Sequence, residues 1–339
     1  MANIKDVALQ AGVSVTTVSH VVNGTRFVSD SARQRVEAAV RELGYVPSAV
    51  ARSLKHNSTH TLGMVIPNNS NPYFAEIIRG VEDHCFAAGY NVILCNSNDD
   101  AQRQAAYLRV LAEKRIDGLI FVATGSDAVV RATLGGIGTP LVLLDREVSG
   151  IESDLVEVNH TLGSEMATRH LLALGHPRVA CISGPPGLSP SSQRRAGWKQ
   201  ALEEAGVERR ESDLARGDFT ARGGYLAMQT LLKRRPRPTA IFACNDLMAI
   251  GALAAAREAG IAVPQQLSIV GFDDIELAAF SAPPLTTVAQ PKRQIGTLAA
   301  ELLLERVTAS RHETRRVILD PEIRVRGSTA TYQPAKENS

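Results

Sequence analysis

Ile4-Lys5-Asp6-Val7-Ala8-Leu9-Gln10-Ala11-Gly12-Val13-Ser14-Val15-Thr16-Thr17-Val18-Ser19-His20-Val21-Val22 is the stretch that decides how this chain is read. Ile4, Val7, Ala8 and Ala11 recur at helical spacing on one face, and the pattern stops at Gly12, a residue that helix C-termini favour. Ser14 follows as an N-cap, and Val15 to Val22 carries Val18 and Val22 on one stripe. So short a segment does not hold a helix alone in water and has to pack on the first. Two short helices across a tight Gly-containing turn predict a helix-turn-helix. A third helix is expected from Asp30, as its N-cap, to Leu43, with Val36, Ala39, Val40 and Leu43 inward and Gly44 as its stop.

Charge is uneven along the chain. Residues 1–60 hold seven Lys or Arg against four Asp or Glu, whereas all 339 residues together carry only +2, which leaves the remainder near −1. An excess of three is modest and is what an ordinary solvated face shows. Placed on a helix-turn-helix, it sits where phosphates would need it.

The rest of the chain reads as globular, with 44% hydrophobic and 21% charged residues. About 280 residues remain beyond the head, enough for two lobes. Met1-Ala2-Asn3-Ile4-Lys5 lacks the apolar core of a signal peptide, and no run of about 18 apolar residues occurs, so a cytoplasmic protein without membrane contact is expected. Cys85, Cys95, Cys181 and Cys244 are scattered, with no Cys-x-x-Cys and no His at ligand spacing, and read as small buried hydrophobes. No metal motif, no cofactor motif, no nucleophile elbow and no phosphate loop is present. Gly135-Gly136-Ile137-Gly138 and Gly184-Pro185-Pro186-Gly187 read as turn glycines. An enzyme is therefore not expected.

From Leu62 onward, short β-rich apolar runs alternate with amphipathic stretches. Strands are expected at Leu62 to Ile66, Asn91 to Cys95, Gly118 to Val122, Leu141 to Leu144 and Leu155 to Val158, then at Val179 to Ile182, Ala240 to Ala243 and Ser268 to Phe272. Helices fill the gaps, a last one spans Gln294 to Arg306, and a last strand runs from Arg316 to Ile323. Two such series mean two parallel sheets, each covered on both faces, hence two Rossmann-like lobes. The expected organisation is a helix-turn-helix domain at 1–46, a hinge and linker at 47–60, a two-lobe α/β core at 61–328 and a polar tail at 329–339. Thr331 to Ser339 shows no heptad pattern and contains Pro334, so no tetramerising helix is expected there.

The wording of the head (Ile4-Lys5-Asp6-Val7-Ala8, Val13-Ser14, Thr17-Val18-Ser19-His20-Val21, Pro47-Ser48-Ala49-Val50-Ala51-Arg52-Ser53-Leu54) resembles the lactose-repressor family, and within it the purine and ribose repressors. The resemblance runs from the head to about Gly327. It implies a helix-turn-helix head on a periplasmic-binding-protein-like core, and a homodimer on palindromic operator DNA. It also implies that Val15, Thr16 and His20 face base edges. Thr and His can bond there and Val can meet a thymine methyl, although Thr16 and His20 also fit plain solvated surface. Arg26 reads as a phosphate contact. Ser48 to Leu54 is a marginal helix of about two turns. The resemblance implies that it orders on DNA with Leu54 as a minor-groove wedge and Lys55 beside it, while the polar run after Leu54 fits a plain linker. The resemblance further implies that Thr287 to Thr308 returns to the first lobe and that the last strand joins the second.

Ligands of open α/β sheets bind beyond the carboxyl ends of strands. The residues there are Asn71, Tyr73 and Phe74, then Asp145 and Arg146, Asn245, Asp273 and Gln290, with Arg194 and Phe219 in the loop-to-helix stretches of the second lobe. Carboxylates, amides and guanidinium suit vicinal hydroxyls, and aromatic faces suit the C–H surface of a sugar ring. The set resembles the pocket of periplasmic ribose-binding proteins, with Tyr73 where those usually carry Phe, and implies D-ribose or a close pentose as effector. Competing readings stand beside it. Asp145 and Asp273 fit helix caps, Asn245 a turn, Tyr73 and Phe74 core, and Trp198 reads as packing. Tyr73, Phe74 and Phe219 could stack a purine corepressor instead, while Asp145, Arg146 and Asp273 favour hydroxyl chemistry. A sugar transport protein or sugar enzyme is disfavoured by the head and by the absence of a positioned base with a nucleophile.

Overall fold

The computed structural model describes residues 2–46, 58–135, 137–309 and 311–334. The chain divides into two compact units, Met1–Thr59 and His60–Ser339.

In the first unit, helices α1 (Ile4–Ala11), α2 (Val15–Asn23) and α3 (Asp30–Leu43) close over Val7, Ala8, Ala11, Val18, Val36 and Ala39. Local capping fixes their ends. Asn3 Oδ1 accepts from the Lys5 and Asp6 amides at 2.8 and 3.3 Å, and Asp6 accepts from the Asn3 amide at 2.8 Å. Gly12 takes the left-handed conformation (φ 61°) that lets α1 turn into α2. Ser14 Oγ caps α2 by accepting from the Thr17 amide at 3.1 Å. Asp30 is not an N-cap. It is the first residue of α3, with Ser29 at the cap position making no side-chain bond; an acid in the first turn still favours the helix through its dipole.

The second unit carries two six-stranded sheets. Strands β1 (Thr61–Ile66), β2 (Asn91–Asn96), β3 (Gly118–Val122), β4 (Leu141–Leu144), β5 (Asp154–Val158) and β11 (Arg316–Leu319) lie in the order β11-β5-β4-β3-β1-β2. Strands β6 (Val179–Ser183), β7 (Leu214–Arg216), β8 (Ala240–Ala243), β9 (Ser268–Asp273), β10 (Thr286–Ala289) and β12 (Glu322–Arg324) lie in the order β12-β10-β9-β8-β6-β7. All pairings are parallel except β10 with β12. Every residue of β3, β4, β5, β6, β8 and β9 is buried. Helices cover both faces, which is why β3, β4 and β8 read as unbroken apolar runs rather than alternating ones.

The chain passes between the lobes three times. After β5 it enters the helix His160–Ala173, which packs on the helix Ser189–Glu204 of the second lobe; after β10 it enters the helix Lys292–Ala309, which packs on the helix Pro72–Ala87 of the first. The third passage lies between β11 and β12. Thr287 to Ala289 belong to the second sheet, so the return to the first lobe begins at Lys292. The stretch Arg316 to Ile323 is two strands, one in each sheet, because Asp320-Pro321 interrupts it and proline cannot donate to a ladder. The start of the stretch read as a polar tail is tied down, with the Tyr332 amide donating to the Leu174 carbonyl at 2.8 Å and His170 Nε2 lying 3.0 Å from Thr329 Oγ1.

The helices Pro72–Ala87 and Lys292–Ala309 meet at glycines. A Cβ on Gly80 would collide with the Arg293 carbonyl oxygen, and one on Gly296 with that of Ile77. This contact places Tyr73 and Phe74 at the first lobe's strand ends. Gly296→Val should therefore force the helices apart and lower unfolding stability by about 1–3 kcal/mol. A urea midpoint equal to that of the unsubstituted chain would show that the contact tolerates bulk.

Candidate effector site

Nine of the ten expected residues line one cavity between the lobes, of about 680 Å3: Asn71, Tyr73, Phe74, Asp145, Arg146, Arg194, Phe219, Asn245 and Asp273. Gln290 is set back from the lining and is 3% exposed.

The floor is one chain of polar contacts. Tyr73 Oη donates to Gln290 Oε1 at 3.2 Å, and Gln290 Nε2 donates to Asp273 Oδ1 at 2.7 Å. Arg194 Nη1 lies 3.5 Å from the same Asp273 oxygen, and Arg194 Nε donates to His160 Nδ1 at 3.4 Å. His160 Nε2 stands 3.1 Å from Asp145 Oδ1. The chain begins and ends in the first lobe and runs through the second. Four of its members lie within three residues of a strand's carboxyl end, as the open-sheet rule requires: Asp145 after β4, His160 after β5, Asp273 at the end of β9 and Gln290 after β10.

Several lining residues also serve the fold, and Tyr73 and Phe74 belong to the hydrophobic core as well as to the cavity wall. Asn71 caps the helix Pro72–Ala87 through the Tyr73 amide (3.1 Å), and Asn245 caps the helix Asp246–Glu258 through the Met248 amide (2.9 Å). Asn245 also donates to the Phe219 carbonyl at 3.0 Å, which holds that aromatic loop. Neither Asp145 nor Asp273 caps a helix. Both sit at positive φ, 70° and 114°, conformations an L-residue adopts only where its surroundings enforce them. Arg146 is committed within the first lobe, donating to Asp127 at 2.6 Å and to the Gly125 carbonyl at 2.7 Å. Trp198 is fully buried packing, its indole donating to the Val179 carbonyl at 3.2 Å.

His160 was not among the sequence candidates. The sequence carries a signal for it, since it lies two residues beyond the end of β5, between that strand and the helix expected over Leu162 to Leu174.

The charges are tuned by burial. Burial pushes the Asp145 carboxyl up, but the His160 hydrogen bond and the charges of Arg194 and Arg146 outweigh it and leave the group below its ordinary value. Burial, the Asp145 and Asp273 charges together hold the Tyr73 phenol protonated. For Asp273 burial wins over Arg194, Gln290 and Lys292, and its carboxyl is pushed up to about 6.

In the head, Val15, Thr16 and Arg26 are exposed, while His20 is half-buried with Nδ1 2.8 Å from Thr25 Oγ1. Phe27, which the sequence reading passed over, is 93% exposed beside Arg26. Leu54 and Lys55 lie outside the described residues. All four cysteines are buried. Among the described residues no helix is long and apolar enough to cross a membrane, and no group of three or more His, Cys, Asp or Glu could hold a metal ion.

Residues 3–48 match the pattern of bacterial regulatory proteins of the lacI family, and residues 168–329 that of a periplasmic binding protein-like domain. The chain is 44% identical to the ribose operon repressor of Escherichia coli K12 over 329 residues, 97% of this chain and 100% of that one. It belongs to the lacI family of regulators. It is accordingly a DNA-binding transcriptional repressor with a helix-turn-helix head and a two-lobed α/β core. The family's purine branch is nearly as similar: the HTH-type transcriptional repressor PurR of Photobacterium profundum is 43% identical, with 97% of this chain and 98% of that one covered. Among solved structures, the Lac repressor dimer bound to operator and the anti-inducer ONPF matches with a TM-score of 0.87 at 29% identity, covering 97% of this chain and 99% of that one. An Enterococcus faecium lacI-family regulator with bound ribose matches with a TM-score of 0.73 at 32% identity, covering 80% of this chain and all of that one.

The Asp273 environment has a consequence for stability. The folded chain takes up a proton on Asp273 at a pH where an unfolded carboxyl, near about 3.9, has already lost it. The stability from that proton is complete below the unfolded value and is lost as pH rises through about 6. Asp273→Asn should flatten that part of the unfolding free energy in urea melts, with Asp145, Asp246 and His160 as the remaining titrating neighbours. An unchanged pH slope would contradict the assignment.

Proposed function

We propose that the cavity is the effector site of a repressor that binds palindromic operator DNA as a homodimer in the cytoplasm, and that its effector is D-ribose or a close pentose that releases the DNA. The observation that carries the reading is the floor chain, in which Asp145 and Asp273 each have one oxygen engaged inside the protein, Arg194 is held in place by His160, Cys244 and Asp273, and all three line the cavity. Hydroxyls both donate and accept, so a ring of vicinal hydroxyls satisfies carboxylate and guanidinium edges at once. Phe74 and Phe219 supply apolar faces for its C–H side. The ribose-bound neighbour and the ribose operon relative support the same choice.

The cavity lining comes from both lobes, so a sugar bound between them has different affinity for different lobe arrangements, and that difference is what shifts an equilibrium. In the head, Val15, Thr16 and His20 are proposed to face base edges, Arg26 to meet phosphate, and Leu54 and Lys55 to contact DNA in the hinge. No catalysis is proposed: the site offers no nucleophile beside a base.

A purine effector is the second reading. It is favoured by the size of the cavity, which exceeds a single sugar ring, by the aromatic trio Tyr73, Phe74 and Phe219, and by the purine-branch relatives.

Calorimetric titration of the full chain with D-ribose and, in parallel, hypoxanthine tests the choice. Saturable ribose binding is expected, lost by at least about 100-fold in Asp273→Ala because a buried partner charge is left without its carboxylate, with operator binding in the absence of sugar unchanged. Binding of hypoxanthine alone would move the assignment to the purine reading.

A further inference from the structure

We propose that His160 is a positioning residue of this effector site: a neutral spacer that keeps Asp145 of the first lobe and Arg194 of the second from pairing directly, while it holds both toward the ligand. The inference rests on the effector-site reading above.

The geometry is specific. His160 is 1% exposed and does not line the cavity. Its Nε2 is 3.1 Å from Asp145 Oδ1, and its Nδ1 is 3.4 Å from both Arg194 Nε and Nη2. A guanidinium has donors only, so the nitrogen facing Arg194 has to be the unprotonated acceptor; the proton then sits on Nε2 and is donated to the Asp145 carboxylate. The imidazolium form would bring an N–H against the guanidinium. Burial and the Arg194 charge hold the imidazole pKa below its ordinary value despite the Asp145 bond, in keeping with the neutral form. The remaining neighbours are Phe272, whose ring is 5.9 Å from the imidazole, and the carboxylate of Glu157 on β5.

The consequence concerns what a ligand finds on arrival. A carboxylate and a guanidinium in a water-poor cleft attract strongly and favour a two-bond fork between themselves. Such a pair would occupy the edges a polyol needs and would tie the lobes together without ligand. Among the described residues no Asp145–Arg194 ion pair forms, and the imidazole stands between them. It engages one oxygen of Asp145 and the Nε and Nη2 of Arg194, whose Nη1 is held by the Cys244 carbonyl and Asp273, so the second Asp145 oxygen and one Nη2 hydrogen remain for a ligand, and it sets the separation of the two groups by the width of an aromatic ring that cannot bend. Its position at the first passage between lobes, opening the helix His160–Ala173, makes that separation a property of the lobe boundary.

The test uses the full chain as it stands and as His160→Gln and His160→Leu. Glutamine presents an amide N–H and carbonyl in place of Nε2–H and Nδ1, whereas leucine keeps bulk and removes both bonds. Titration with D-ribose, and with hypoxanthine in parallel, should give leucine affinities about 10–100-fold weaker and glutamine affinities within about threefold of the unsubstituted chain. Thermal melts and sugar-free operator binding establish that the variants fold. Selective 15N-histidine spectra, with the His160 signal identified by its loss in the glutamine variant, should show Nδ1 unprotonated at neutral pH, and this readout survives even if the leucine variant fails to fold. Equal affinities for all three chains, or a protonated Nδ1, would overturn the proposal. Hypoxanthine binding without ribose binding would sink the ribose assignment while the same variants still decide the role of His160; binding of neither ligand overturns both.

Discussion

Charged groups buried at a boundary between two lobes have to be paired within the protein, and this constraint organises the core of the molecule. Asp145, Arg194 and Asp273 would each cost several kcal/mol if left without partners away from water. The chain from Tyr73 through Gln290, Asp273, Arg194 and His160 to Asp145 provides those partners, and it does so by drawing on both lobes. The lobes are thereby coupled through the same atoms that a ligand between them would touch.

The fold places these atoms by simple means. Parallel strands end on one side of each sheet, so their following residues converge, and helix caps at Asn71 and Asn245 fix the local backbone on either side. Two of the three passages between lobes carry a member of the polar chain, His160 after β5 and Gln290 after β10. Connection and site are one feature. The left-handed backbone at Asp145 and Asp273 is the local strain this arrangement holds in place.

Much of this was legible in the sequence, for identifiable reasons. Strands covered on both faces are unbroken apolar runs, so β3, β4 and β8 were read to the residue, and the head was read from its glycine stops and the Ser14 cap. Seven of the nine lining residues follow from the rule about strand ends, and Arg194 and Phe219 from the loop-to-helix stretches of the second lobe. The misreadings have physical causes as well. The break at Asp320-Pro321 is written in the sequence but masked by Val317, Ile318 and Leu319 before it and Ile323 after it. The sheet that takes Thr287 depends on pairing with β9 and β12, a long-range fact that local pattern does not encode. His160 opens the helix His160–Ala173, two residues before the start the sequence pattern predicts, and its role beside Asp145 and Arg194 depends on contacts that local pattern does not encode. Gln290 was identified as polar and near the site, but only three-dimensional packing shows that it supports Tyr73 and Asp273 from behind.

On the proposed reading, occupancy of the inter-lobe cavity controls operator affinity. It is tested most directly by measuring operator affinity with and without saturating D-ribose at fixed salt, together with ribose affinity with and without operator. Thermodynamic linkage requires the two ratios to be equal. Weaker operator binding with the sugar is expected, together with a matching loss of sugar affinity on the operator. Sugar that binds the cavity and leaves operator affinity unchanged would contradict it.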